Sequence, residues 1–182
     1  MSKMCSAVLE IADLDEGHEI NGHTEPNTNI EMKLHNGYKG LYAIKDIIAG
    51  SVIFILKGRI SARGNKYSVQ LSRDKHLDFP LIRKSNDHLE YAWQYVNHSC
   101  DPNGYVNAAE YSFCALRNIR EGEEITFNYL TTEYELAAPF LCECRSAKCF
   151  GFIQGYKFLT ADQIAELLPV DRNLEEVSTV TR

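Results

Sequence analysis

The sequence predicts a mainly β protein that ends in a short helix. Residues 29–35 alternate between apolar and polar side chains, which is typical of a half-buried strand. Residues 52–56 form a continuous apolar run rich in β-branched side chains, which indicates a buried strand. Ile125, Phe127 and Tyr129 would share one face of a further strand. Residues 160–163 have the pattern of a capping box, and the apolar positions after them predict a short amphipathic helix ending near residue 169.

Further short strands fit between these elements. Residues 67–71 alternate in the same way, and residues 105–107 and 112–116 are expected to pair across a three-residue turn. Residues 1–28 are polar with little periodicity, so they are interpreted as a lead-in segment.

Length and charge limit the classes of function. A chain of 182 residues fits a single domain with its own core. No apolar run approaches the roughly 20 residues of a membrane span, and no secretory leader pattern opens the chain. A soluble intracellular protein without a membrane partner is therefore expected. The net charge of -6 without a Lys/Arg block argues against direct nucleic-acid binding and suits a basic peptide partner.

The chain is organised around residues 95–103. Asn97 and His98 supply hydrogen-bonding groups, and Cys100 follows two residues later. Residues 101–103, Asp-Pro-Asn, favour a turn because proline fixes φ while Asp and Asn bond their own backbone. A rigid polar loop of this kind commonly carries function.

The cysteines indicate a metal site rather than disulfides. Three of the six lie within eight residues, at Cys142, Cys144 and Cys149, a spacing typical of metal thiolates. Structural zinc takes four ligands, and this segment contains no histidine. The fourth ligand must come from elsewhere, and Cys100, Cys5 and Cys114 are the candidates.

Three ordered stretches resemble one family. Residues 97–103 (NHSCDPN), 121–129 (EGEEITFNY) and 142–152 (CECRSAKCFGF) are similar to the signatures of SET-domain protein-lysine methyltransferases with a zinc-binding post-SET tail. The resemblance covers residues 29–159. It does not include a cysteine-rich pre-SET segment, which Cys5 alone could not build.

The resemblance implies a fold and a domain order. The expected SET-domain fold consists of several short curved β-sheets, β-clip-like in arrangement, with a pseudoknot. The expected segments are the lead-in at 1–28, the SET domain at 29–136, the post-SET zinc segment at 137–159, and the C-terminal helix and tail at 160–182.

The resemblance also implies the function and the site. It implies S-adenosylmethionine-dependent methyl transfer to a lysine of a basic protein, for which histone tails are the family's commonest substrates. Tyr129 would be the catalytic residue, and Phe127 would line the substrate channel with it. The residues expected to contact the cofactor are Lys39, Gly40, Leu41, Asn97, His98 and Phe152. One structural zinc ion would be bound by Cys142, Cys144 and Cys149, and the resemblance selects Cys100 as the fourth ligand.

Three positions depart from the family pattern. Tyr38 replaces the first glycine of a Gly-x-Gly segment, Gln94 replaces an arginine, and Leu56 replaces a tyrosine that lines the lysine channel. A replacement hydroxyl for the channel could come from any of four tyrosines, Tyr67, Tyr91, Tyr95 or Tyr105.

These departures keep rival functions open. The main alternative is a non-catalytic module that binds S-adenosylmethionine or a peptide on the same fold. A cysteine hydrolase using His98 and Cys100 is a second. A purely structural zinc protein is a third, although it leaves the stretch ending at Tyr129 unexplained.

Overall fold

The computed structural model describes residues 15–21, 29–35, 37–80 and 89–167. Cys5, most of the lead-in and the tail after residue 167 lie outside the described residues. The strands are short, as the sequence predicts for a mainly β protein. They are β1 (Glu19–Ile20), β2 (Ile30–His35), β3 (Tyr38–Ala43), β4 (Val52–Ile55), β5 (Gly58–Ser61), β6 (Val69–Ser72), β7 (Lys75–Asp78), β8 (Asn97–His98), β9 (Gly104–Asn107), β10 (Ser112–Ala115), β11 (Glu124–Phe127), β12 (Phe140–Leu141) and β13 (Phe152–Ile153).

These strands form four small sheets. The strand orders are β1-β5-β7-β6, β4-β10-β9, β2-β3-β11-β8 and β12-β13. Among the described strands the pairs are antiparallel, except that β8 lies parallel to β11. The predicted pairing of residues 105–107 with 112–116 is confirmed by β9 and β10.

Helical structure is confined to short segments. Single 3-10 turns cover Ala92–Tyr95, Tyr129–Thr131 and Tyr156–Phe158, and the α-helix α1 covers Ala161–Glu166. The predicted capping box is present: Thr160 accepts a hydrogen bond from the Gln163 N–H, and the Gln163 side chain accepts one from the Thr160 N–H. The prediction of a short C-terminal helix is therefore confirmed.

One strand prediction extended too far, and one prediction of burial was wrong. Tyr129 was expected on the strand of Ile125 and Phe127, but β11 ends at Phe127 and Tyr129 begins a 3-10 turn. The Asn128 side chain accepts a hydrogen bond from the Leu130 N–H, which favours a turn over an extended strand. Leu34 was expected on the buried face of β2, yet it is 69% exposed.

The buried apolar side chains form two separate clusters. The main core draws on β1 to β7 and on β9 to β11, and it contains residues such as Leu41, Phe113 and Ile125. The second core is small and consists of Cys100, Leu130, Ile153 and Leu167. Tyr129 packs against both cores, so the ring lies where they meet. None of the described helices has the length and apolar character needed to cross a membrane.

Candidate active site and metal centre

The parallel pair of β8 and β11 brings two distant segments together. Asn97 is in register with Thr126, and His98 with Phe127. The Ser99 N–H extends the pairing by donating to the Phe127 carbonyl oxygen over 3.0 Å. The loop at 97–103 therefore lies beside the stretch that contains Tyr129.

Asn103 fixes this arrangement from inside. It is 1% exposed. Its amide nitrogen donates to Glu123 Oε1 over 3.0 Å and to the Glu124 carbonyl oxygen over 2.7 Å. Its Oδ1 atom accepts from the Thr126 N–H over 2.9 Å. A single buried side chain thus holds the turn after Cys100 against β11.

Tyr129 is held by both its backbone and its hydroxyl. The backbone N–H donates to His98 Nδ1 over 3.1 Å, and the hydroxyl donates to the Val96 carbonyl oxygen over 2.9 Å. Burial raises the pKa of Tyr129 well above its usual value. The side chain therefore stays a neutral phenol whose oxygen lone pairs remain able to accept a hydrogen bond.

A cavity of about 170 Å³ is lined in part by Tyr129 and Val96. Its walls combine aromatic side chains, small apolar residues and a few polar groups. They are formed by Asn65, Lys66, Tyr67, Ser68, Val69, Trp93, Gln94, Val96, Phe127, Tyr129, Glu133, Leu136, Ala137, Ala138 and Phe140. The two predicted channel residues are neighbours here, since the Phe127 and Tyr129 ring centroids are 4.8 Å apart.

The cavity narrows the choice of replacement hydroxyl. Of the four tyrosines that the sequence left open, Tyr67 lines the cavity wall. Tyr91 and Tyr95 are buried among the aromatic residues of the main core. Leu56, which stands where the family has a tyrosine, is fully buried in the same core.

The structure brings Asn97 and Lys39 together in the sheet β2-β3-β11-β8. The Asn97 amide nitrogen donates to the Lys39 carbonyl oxygen over 3.0 Å and to Glu124 Oε1 over 2.7 Å. Glu124 was not singled out from the sequence, although it lies within the stretch 121–129. Hydrophobic periodicity does not reveal a polar contact of this kind. The position of Glu124 within the stretch 121–129 was therefore the one sequence signal for it.

The backbone around Gly40 is tightly enclosed. A Cβ atom there would lie 2.6 Å from Glu124 Oε1 and 3.3 Å from the Asn97 amide nitrogen. Glycine at this position therefore allows the Glu124 and Asn97 side chains to approach the β3 backbone closely. Leu41 is fully buried.

Phe152 lies on β13, within the segment 137–159. Its strand β13 pairs with β12, where Phe152 is in register with Leu141. The centres of the Phe140 and His98 rings are 5.6 Å apart, so the β12–β13 pair contacts the loop at 97–103 there. Phe152 is 50% exposed and available for contact with a flat ligand.

His98 links Tyr129 to the cysteines. Because Nδ1 accepts from the Tyr129 N–H, the neutral ring carries its proton on Nε2, which lies 3.2 Å from Cys100 Sγ. Burial lowers the pKa of His98 to about 4. In this tautomer Nε2 donates toward the sulfur and cannot take a proton from it. The arrangement therefore does not favour a cysteine hydrolase.

The four cysteines that the family resemblance selected form one compact cluster. The sulfur atoms of Cys100, Cys142, Cys144 and Cys149 all lie within 4.8 Å of one another. The Cys100 and Cys142 sulfurs are 3.8 Å apart. Four zinc–sulfur bonds of about 2.3 Å in a tetrahedron place neighbouring sulfurs about 3.8 Å apart. The four residues therefore fit a tetrahedral thiolate-bound metal ion, and Cys114, buried on β10, is not part of the cluster.

Backbone donors surround the cluster. The N–H groups of Cys144, Phe150 and Gly151 each point at a sulfur over 3.4 Å, and such bonds stabilise thiolates. Burial raises the pKa of Cys142 to about 11 and that of Cys100 further. At Cys144 burial is outweighed by hydrogen bonds from the Ser146 and Cys100 backbone and from neighbouring thiols, so the pKa falls to about 7. A cation among the sulfurs would favour the ionised form of all four.

Comparison with known proteins decides the family. Residues 38–130 match the SET domain, which is just over half of the chain. The chain belongs to the SET domain family. This SET domain thus has the mainly β fold that its three sequence stretches indicated.

Several relatives of this SET domain are histone methyltransferases. It is 31% identical over 162 residues to the "Histone-lysine N-methyltransferase, H3 lysine-36 specific" of Saccharomyces cerevisiae, a match over 81% of this chain and 21% of the relative. It is 41% identical over 130 residues to the protein of that name from Chaetomium globosum, covering 64% and 14%. "Methyltransferase flvH" of Aspergillus flavus is 33% identical over 73 residues, covering 39% and 41%. The chain thus spans about a fifth of the length of the Saccharomyces cerevisiae relative.

Solved structures agree on the fold. KRYPTONITE in complex with DNA, an H3(1-15) peptide and SAH superimposes with a TM-score of 0.51 at 21% identity, over 68% of this chain and 29% of the other. A second KRYPTONITE complex, with DNA and SAH, gives a TM-score of 0.53 at 20% identity over 68% and 28%. At this identity the likeness concerns the fold alone.

Proposed function

We propose that this SET domain transfers a methyl group from S-adenosylmethionine to a lysine side chain of a basic protein, with a histone tail as the first substrate to test. The observation that carries the proposal is the position of the Tyr129 hydroxyl. It donates a hydrogen bond to the Val96 carbonyl oxygen, and both Tyr129 and Val96 line the cavity. A phenol oxygen so placed can accept a hydrogen bond from an amine entering the cavity.

The residues proposed to contact the cofactor lie on β3, on β8 and, for Phe152, on β13. Lys39, Gly40 and Leu41 would contact it through their backbone, and Asn97 and His98 from β8. Phe152 would cover the adenine. Bound S-adenosylmethionine would supply a methyl group activated by its sulfonium charge.

The chain itself would supply alignment and a poorly hydrated channel. Phe127, Trp93 and Phe140 form apolar walls beside Tyr129, which disfavour the charged form of a lysine amine. Orienting the amine toward the methyl group is worth several kcal/mol of the barrier. Because the pKa of Tyr129 is raised by burial, we assign it to orientation and not to proton removal.

One zinc ion bound by Cys100, Cys142, Cys144 and Cys149 completes the proposal. The ion would join the loop at 97–103 to the tail, and the segment 137–159 would act as the post-SET unit. Zinc here has no open position for chemistry if all four sulfurs bind it, so its role is structural.

Replacing Tyr129 by phenylalanine tests the assignment. We expect the rate of methyl transfer to fall about tenfold to a hundredfold, since the change removes the one hydroxyl that positions the amine. Labelled S-adenosylmethionine incubated with a whole lysate measures transfer without a chosen substrate. Cofactor affinity, measured by calorimetry, should stay near the wild-type value.

The wild type provides the decisive outcome. Cofactor binding without transfer to any protein would support the non-catalytic alternative. Equal transfer by the wild type and by Tyr129→Phe would remove Tyr129 from the mechanism.

Phe127 determines a second expected result. Its ring is 4% exposed and carries no hydroxyl that could hold a water molecule beside Tyr129. We therefore expect the wild type to add more than one methyl group and Phe127→Tyr to add mainly one. Mass spectrometry of the product over time separates the methylation states. A wild type that stops at monomethyllysine would contradict this prediction.

A further inference from the structure

An acidic side chain lies in the cavity wall beside Tyr129. Glu133 is partly buried and lines the cavity together with Tyr129 and Trp93. Its backbone N–H donates to the Tyr129 carbonyl oxygen over 2.8 Å, which fixes it one turn beyond the tyrosine. The side chain therefore belongs to the same rigid segment as the hydroxyl.

The carboxylate is held on one side only. Its Oε1 atom accepts from the Gln70 N–H over 2.9 Å and from the Thr132 hydroxyl over 3.2 Å. Gln70 in turn accepts from the Tyr134 N–H, so β6 and this turn hold each other in place. Within residues 15–21, 29–35, 37–80 and 89–167, no hydrogen bond to Oε2 and no salt bridge to Glu133 is formed.

Neither of the two nearby basic side chains, Lys66 in the same cavity wall and Arg73, forms a salt bridge with Glu133. Lys66 Nζ stands 4.6 Å from the centre of the Tyr67 ring, and Arg73 lies 6.0 Å from the centre of the Tyr134 ring. Burial raises the pKa of Glu133 to about 7, although its two hydrogen bonds act in the opposite direction. A partly buried carboxylate without a counter-ion is costly and is a candidate for binding a cation.

We propose, on the basis of the function above, that Glu133 Oε2 accepts a hydrogen bond from the ε-ammonium group of the target lysine as it enters the cavity. Glu133 would then select a cationic side chain over a neutral one of the same length. It would supply the polar contact that Leu56, buried in the main core, does not give. Tyr129 would receive the amine further along the same wall.

Paired peptides and a charge-removing variant test this selection. The probes are a fluorescent histone H3 peptide centred on lysine 36 and the same peptide with norleucine at that position. Glu133→Gln keeps an oxygen that can accept from the Gln70 N–H and the Thr132 hydroxyl, but it is neutral. Glu121→Gln, in the exposed turn before β11, is the matched control for net charge. Binding is measured at pH 8, where most of the Glu133 carboxyl is ionised.

We expect the wild type and Glu121→Gln to bind the lysine peptide about tenfold or more tightly than the norleucine peptide, because a charge-assisted hydrogen bond is at stake. In Glu133→Gln the ratio should fall to near one while the melting temperature shows a folded protein. A wild-type ratio near one, including equally weak binding of both peptides, would overturn the proposal, as would an unchanged ratio in Glu133→Gln. Since binding needs no turnover, an absence of methyl transfer would refute the proposed function without affecting this result.

Discussion

The variant Cys144→Ser will lose methyl transfer below detection while most of the β-structure remains folded. The reason lies in the two separate cores. Cys142 and Cys144 pack against the small core of Cys100, Leu130, Ile153 and Leu167, whereas the large core does not include the cysteine cluster. Three remaining thiolates cannot close a tetrahedral structural site, and zinc sites of this kind contribute folding energy directly.

The loss reaches the cavity because Tyr129 packs against both cores. If the segment 137–159 loosens, one side of the Tyr129 ring loses its packing, and so does Phe140 in the cavity wall. Small displacements of a positioning group are enough to lower the rate strongly.

Three measurements check the prediction for Cys144→Ser. Elemental analysis should find about one zinc per wild-type chain and none bound stably in the variant. Circular dichroism should show most of the β signal in both. Transfer from labelled cofactor should vanish in the variant and in wild type treated with a strong chelator. Lys148→Ser, an exposed change between Cys144 and Cys149, is the matched control and should behave as wild type. Full activity of the metal-free protein would contradict the coupling.

Replacing Asn103 by alanine will destabilise the whole domain. The change removes the partner of the Thr126 N–H and of the Glu124 carbonyl oxygen, both of which depend on a side chain that is 1% exposed. Each buried group left unpaired costs about 1–3 kcal/mol. We expect a loss of about 3–5 kcal/mol, a large part of a total stability of about 5–15 kcal/mol.

Urea denaturation provides the measurement for Asn103→Ala. The midpoint should move to much lower urea, and methyl transfer should fall with the folded fraction. Asn107→Ala is the control, since within the described part of the chain that side chain bonds only to Glu110 in the adjacent turn. Its stability should change by less than about 1 kcal/mol. An Asn103→Ala protein as stable as wild type would show that water or a rearranged loop satisfies the freed groups.

Local pattern predicted six of the thirteen described strands. The apolar run at 52–56 and the paired strands around residue 108 follow from periodicity and turn residues. The capping box at Thr160 is likewise a local signal. The composition of the cysteine cluster also followed, because metal thiolates have a recognisable spacing and the family resemblance selected Cys100.

Contacts between distant segments were not readable in the same way. The end of β11 was missed because the Asn128 cap competes with strand continuation, a choice that alternation alone does not reveal. Glu124 and Glu133 have the composition of ordinary surface residues. Their importance arises only when Asn97 and Gln70, far away in sequence, meet them in the fold.

The parallel pairing of β8 with β11 sets the order in which the molecule can be assembled. β9 and β10 lie between the two partners in the sequence but belong to another sheet, so the pairing closes a long loop and is expected to form slowly relative to a hairpin. The small core also depends on it, since Cys100 comes from the loop after β8 while Leu130, Ile153 and Leu167 come after β11 in the chain. A chain in which β8 and β11 have not yet paired would therefore lack the contact between the loop at 97–103 and the segment that contains Tyr129.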